Sequence, residues 1–110
     1  MPYRSWQFRI DDIVEAINKI ERYIHGVDFA SWQNDEKTVD AVVRNLEVIG
    51  EASSHLPSEI QEQFKDVPWG MIKGIRNILA HEYFGIDLEI VWKTVKEDLP
   101  VLKKLLIPGS

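Results

Sequence analysis

Apolar residues recur at three- and four-residue intervals along almost the whole chain, and that spacing confines it to a helical fold. Ile10, Ile13, Val14, Ile17, Ile20 and Ile24 form the first stripe. Val39, Val42, Val43, Leu46, Ile49 and Leu56 form a second, and Leu88, Val91, Trp92, Val95, Leu99, Leu102 and Leu106 form another. No segment alternates long enough to read as a strand. The expected fold class is all-α: an up-and-down bundle of four to five helices with short connections, one domain over residues 1–110.

Punctuation residues divide the bundle. Ser5 is expected to cap the first helix, and Gly26 stands where a C-terminal glycine belongs. Residues 27–34 read as a loop, with Phe29 and Trp32 tucked onto the body. Pro57 ends the second helix, and Ser58 with Gln61 suggests a capping box for a short helix reaching Phe64. Pro68 opens a helix that runs towards Gly85, and Asp87 can cap the last one. Pro100 is expected to kink that last helix or restart it.

Composition narrows the function. The 110 residues suffice for one modest core, and the absence of cysteine removes disulfides and thiolate zinc sites. The N-terminus has no apolar run of signal-peptide length, and no stretch is long and apolar enough to span a bilayer, so a soluble cytoplasmic protein is expected. The net charge of −5 argues against a general nucleic-acid coat, which would draw on a basic surface. Any nucleic-acid role must use a local basic site. The histidines His25, His55 and His81 lack metal-ligand spacing; there is no His-Glu-x-x-His, Gly-rich phosphate loop or serine nucleophile motif. No metal and no cofactor is expected.

The chemistry concentrates in Arg76-Asn77-Ile78-Leu79-Ala80-His81-Glu82-Tyr83. A permanent cation, an amide, a titratable imidazole and a phenol lie within about two helical turns. Arginine stabilises phosphoryl charge and histidine moves protons near neutral pH, which together point to phosphodiester chemistry without a metal. On a helix of about 100° per residue, Met71, Ile72, Ile75, Ile78 and Leu79 gather on a core-facing side. Gly70, Lys73, Gly74, Arg76, Asn77, Ala80 and His81 gather on the other, with Tyr83 at its margin. The small residues leave room for a phosphate or a second helix. Arg76 and His81 diverge by about 140°, so two copies meeting along this face would build a better cleft, and a homodimer is expected.

Each residue also has an ordinary reading. Arg76 serves equally well as a surface ion-pair partner, a lone helical histidine is more often structural, and Lys73 is usually just solvated. Asn77 wants a hydrogen-bond partner, and Tyr83 fits the rim of a core. Arg44, Glu47 and Glu51 share a face of the second helix and read first as an ion-paired surface. The joint arrangement opposite a clean apolar stripe is what favours chemistry.

The motif resembles the signature of HepT-like toxins of the HEPN superfamily: Arg, four residues, His, one residue, Tyr. The similarity extends to Arg44-Asn45-Leu46-Glu47-Val48-Ile49-Gly50-Glu51-Ala52, to Pro68-Trp69 and to Val91-Trp92, covering roughly residues 8 to 106. The resemblance implies a small all-helical dimer. It implies a metal-independent endoribonuclease, the toxin of a two-gene pair whose antitoxin is a minimal nucleotidyltransferase. Carried onto this chain, Arg76 and His81 are the catalytic pair, Asn77 supports them, and Tyr83 is the tyrosine that the antitoxin adenylylates. Lys73 is placed to help bind the RNA backbone. The competing class is a non-catalytic helical dimer whose polar cleft holds a nucleotide or a nucleotidyltransferase partner.

Overall fold

The first helix, α1 (Pro2–Ile24), carries the isoleucine stripe on one face. Ile13, Ile17 and Ile20 are each 0% exposed, so the three- and four-residue spacing delivers one continuous buried ridge. The computed structural model describes the backbone of residues 2–70, 72, 74, 75 and 87–107, and side chains from Trp6 onward within that set. The expected cap at Ser5 is corrected. The chain is already helical from Pro2, whose preset φ suits a first-turn position, so Ser5 falls inside the helix. Gly26 ends α1 as expected, in the left-handed region at φ 71°.

The expected loop after Gly26 contains a short helix, α2 (Phe29–Gln33). Asp28 starts it by accepting the Ser31 backbone N–H at 2.8 Å. Trp32 is fully buried, and Phe29 packs beside it with ring centroids 6.1 Å apart. The tucking was legible; the helix was not, because five residues show too little periodicity to register. α3 (Glu36–Ser54) follows directly, with Asp35 accepting the Thr38 backbone N–H at 3.3 Å and its hydroxyl at 2.6 Å.

The capping box expected at Ser58 is absent. In α4 (Ser58–Gln63) the N-cap is Pro57, with no side-chain cap bond. The Gln61 amide turns back instead to the Leu56 carbonyl at 3.2 Å, satisfying the end of the preceding helix rather than the start of its own. The last helix consists of α5 (Leu88–Lys93), a π-helical turn (Thr94–Asp98) and α6 (Leu99–Leu106). Asp87 caps it as expected, accepting the backbone N–H groups of Glu89 at 2.9 Å and Ile90 at 3.4 Å.

Pro100 does not restart this helix. The Leu99 N–H donates to Thr94 five residues back, and helical geometry continues on both sides. The wider turn relieves the clash of a proline ring with the carbonyl four residues earlier.

Packing makes these elements a bundle. α1 lies chiefly against α3, and α6 closes on α1 in the opposite direction, with Lys103 Nζ 3.0 Å from Glu21 Oε1. α2 meets α5 through the ring of Trp92, which sits 5.1 Å from Trp32 and 6.0 Å from Phe29. The core combines the α1 isoleucines with Trp32, Val42, Leu46, Ile49, Leu99 and Leu102. Among the described residues there is no strand, and the all-α class holds.

Hydrogen bonds to the capping aspartates make stability depend on pH. The Ser31 backbone N–H holds the Asp28 carboxyl below its usual 3.8, and the Thr38 hydroxyl does the same for Asp35. A carboxylate whose folded pKa is lowered adds stability above its unfolded value and loses it as pH falls through the folded value. The melting temperature should therefore drop below about pH 4, and the Asp28→Asn, Asp35→Asn double variant should show a shallower drop in the same thermal scan.

Candidate functional site

Pro68 and Trp69 set the start of the segment that carries the candidate chemistry. The Ile72 N–H donates to the Pro68 carbonyl at 3.3 Å, and Trp69, Gly70, Ile72, Gly74 and Ile75 are helical. The Trp69 indole N–H is shared between the carbonyls of Gln61 at 3.1 Å and Phe64 at 3.2 Å. One side chain thus ties the segment to the C-terminal end of α4, as a second donor to carbonyls that also accept the Phe64 and Val67 backbone N–H groups. This anchoring role was not visible in the sequence; a tryptophan after a helix-opening proline was its only signal.

The register agrees with the expected amphipathic pattern as far as it is described. Ile72 and Ile75 are 0% and 7% exposed and join the core. Gly70 is exposed and Gly74 half-buried, and a methyl group added at either would meet no described atom within 4 Å. The residues that carry the chemistry in the sequence reading, Lys73, Arg76, Asn77, His81 and Tyr83, lie outside the described residues.

Other candidates are placed. Arg44, Glu47 and Glu51 all lie on the exposed side of α3, and no ion pair joins Arg44 to either glutamate. Glu51 Oε1 instead meets His55 Nε2 at 2.9 Å, one helical turn on. The opposite side of α3 buries Asn45, whose amide donates to the Ala41 carbonyl at 2.8 Å. Asn45 is thus a satisfied helix-interior residue. Among the described residues, no group of three or more His, Asp or Glu side chains could hold a metal ion, and no helix is long and apolar enough to cross a membrane.

A helical bundle with a helix of this register, opened by Pro68-Trp69, defines a class that comparison with known proteins makes specific. The family model described as "Ribonuclease HepT-like" matches residues 13–107. The chain is 43% identical over 100 residues to "Probable ribonuclease HepT" of Thermococcus cleftensis, covering 91% of each protein. It is 44% identical over 93 residues to "Putative RNase MJ1380" of Methanocaldococcus jannaschii, covering 84% of this chain and 85% of that one. It is also 44% identical over 95 residues to "Putative RNase TTE0752" of Caldanaerobacter subterraneus, covering 86% and 85%. No solved structure matches the chain. The chain belongs to the HepT-like ribonuclease family.

The shared indole bond is testable. Trp69→Phe keeps an aromatic ring but removes the donor, leaving two carbonyls without it. Unfolding in urea should show a loss of about 0.5–1.5 kcal/mol, the usual net worth of such a hydrogen bond. RNA cleavage should fall by more than the unfolded fraction accounts for, because the start of the Trp69 helix is no longer pinned.

Proposed function

We propose that this chain is a metal-independent endoribonuclease toxin of a two-gene toxin–antitoxin pair, acting in the cytoplasm as a homodimer of single helical domains spanning residues 1–110. The observation that carries this reading is an unbroken Arg76-x4-His81-x-Tyr83 motif inside the region that matches a ribonuclease family. Burial of Ile72 and Ile75 supports it, since in a continued helix the register would turn Lys73, Asn77 and His81 away from the core and set Arg76 at its margin.

The nucleophile is supplied by the substrate. The ribose 2′-oxygen attacks the adjacent phosphorus, the bond to the 5′-oxygen breaks, and a 2′,3′-cyclic phosphate and a 5′-hydroxyl result. His81 takes the 2′-hydroxyl proton or delivers one to the departing 5′-oxygen, a role worth roughly 10²–10⁴-fold. Arg76 stabilises the charge that develops on the phosphorane oxygens. Asn77 orients His81 or donates to a phosphate oxygen, and Lys73 holds the backbone of the RNA. An internal nucleophile needs no activated water, and DNA, which lacks it, should not be cut.

Restraint follows from the same side chains. A minimal nucleotidyltransferase partner would adenylylate Tyr83, placing a phosphate and a purine beside Arg76. The added negative charge would neutralise the guanidinium and the purine would fill the cleft.

The net charge of −5 favours a second reading, a non-catalytic dimer that binds a nucleotide or a nucleotidyltransferase. Growth after induction separates the two. Wild type should arrest growth, whereas Arg76→Ala and His81→Ala should not; equal growth of all three, with stable dimers, would support the binding module. In vitro, cleavage should persist in excess chelator and leave cyclic phosphate ends. Tyr83→Phe should remain active yet escape its antitoxin, read as growth arrest when both genes are expressed.

A further inference from the structure

The last two turns of α1 carry a guanidinium that no described residue pairs with. Arg22 is exposed, and its neighbours three and four residues away on the helix are Asn18, Lys19, His25 and Gly26, none of them a carboxylate. The acids along this stretch are engaged elsewhere. Glu21 meets Lys103 at 3.0 Å, and Glu15 meets Lys19 at 3.6 Å. Among the described residues the Arg22 side chain has no ion-pair or hydrogen-bond partner.

The arginine opens onto a cleft of about 540 Å³ that it lines together with Asn18, Glu21 and His25. The donor set is a planar guanidinium fork, an amide and an imidazole. The Glu21 carboxylate also lines it, 3.0 Å from Lys103 Nζ across the helix pair. A singly charged phosphodiester suits this set, because the fork can take two of its oxygens while amide and imidazole donate to the rest.

We infer that the Asn18–Arg22–His25 cleft binds one phosphodiester of the RNA substrate, as a backbone contact separate from the Arg76–His81 motif. The inference rests on the ribonuclease reading. The contact is sequence-independent, since it touches backbone and not base edges. Its effect is to hold and orient the strand, so it lowers KM and leaves the chemical step untouched.

The probe is a single-stranded oligoribonucleotide with every ribose 2′-O-methylated, which cannot be cut by internal attack. Its affinity is measured across a salt series for wild type, Arg22→Ala, Arg22→Lys and His25→Gln. Arg22→Ala should weaken binding several-fold at low salt and lower the slope of log affinity against log salt by about 0.7, the share of one single-strand phosphate. Arg22→Lys should keep most of that slope, and His25→Gln should bind less weakly than Arg22→Ala. With unmodified RNA, Arg22→Ala should raise KM with kcat unchanged. A merely structural role, offsetting the helix dipole at the end of α1, would move the melting temperature but not the salt slope.

Wild-type affinity and slope in a folded Arg22→Ala protein that still cleaves RNA would overturn the inference alone. Unchanged RNA binding with a weakened hold on the nucleotidyltransferase would also overturn it and assign the cleft to an acidic protein surface. If wild type neither binds nor cleaves RNA, the ribonuclease reading falls and the inference with it.

Discussion

Burial of the α1 isoleucine ridge against α3 is the contact on which the remaining structure depends. Ile13, Ile17 and Ile20 lose all solvent exposure, as do Val42 and Ile49 on the facing helix. Fully burying such a side chain is worth about 1.5–3 kcal/mol, and these side chains repeat at helical spacing, so formation of one helix supports the other. α6 then adds Leu99, Leu102 and Leu106 to the same core, while polar pairs such as Glu21–Lys103 stay at its rim. A partly exposed pair of that kind adds little energy but suits the antiparallel alignment of α1 and α6.

The other end of the bundle is closed by aromatic rings. Trp32, Phe29 and Trp92 pack as tilted neighbours, and Lys96 Nζ lies 5.6 Å from the centre of the Trp92 ring. Among the described residues the buried Trp32 indole N–H has no partner, which marks how tightly apolar packing dominates there. The contrast with Trp69 is informative. One tryptophan forfeits a hydrogen bond to fill the core; the other spends its donor on two carbonyls and so fixes where the Trp69 helix begins.

An acidic ribonuclease must concentrate its cations. Repulsion from the bulk of the chain discourages indiscriminate coating of nucleic acid, and binding then rests on a few placed donors. In the proposed reading Arg76, His81 and Lys73 supply them in the motif, and Arg22 supplies another at the end of α1, where no described residue pairs with it. The family match over residues 13–107 takes in both places.

What the sequence determined by itself was whatever a 3.6-residue period and local chemistry encode. The isoleucine stripe, the stops at Gly26 and Pro57, the Asp87 cap and the buried side of Ile72 and Ile75 were all readable, because each depends on residues within a turn or two. The Arg76 to Tyr83 motif lies outside the described residues, and its resemblance to a ribonuclease family agreed with the family match. Tertiary structure decided the rest. It made a helix of Phe29–Gln33 by giving Trp32 a core to enter, sent the Gln61 amide to Leu56 instead of a capping box, and carried Pro100 on a π turn that neighbouring packing tolerates. It also occupied Glu21 with a lysine 82 residues away. Such outcomes depend on which surfaces meet across the bundle, and periodicity along one helix carries no information about that.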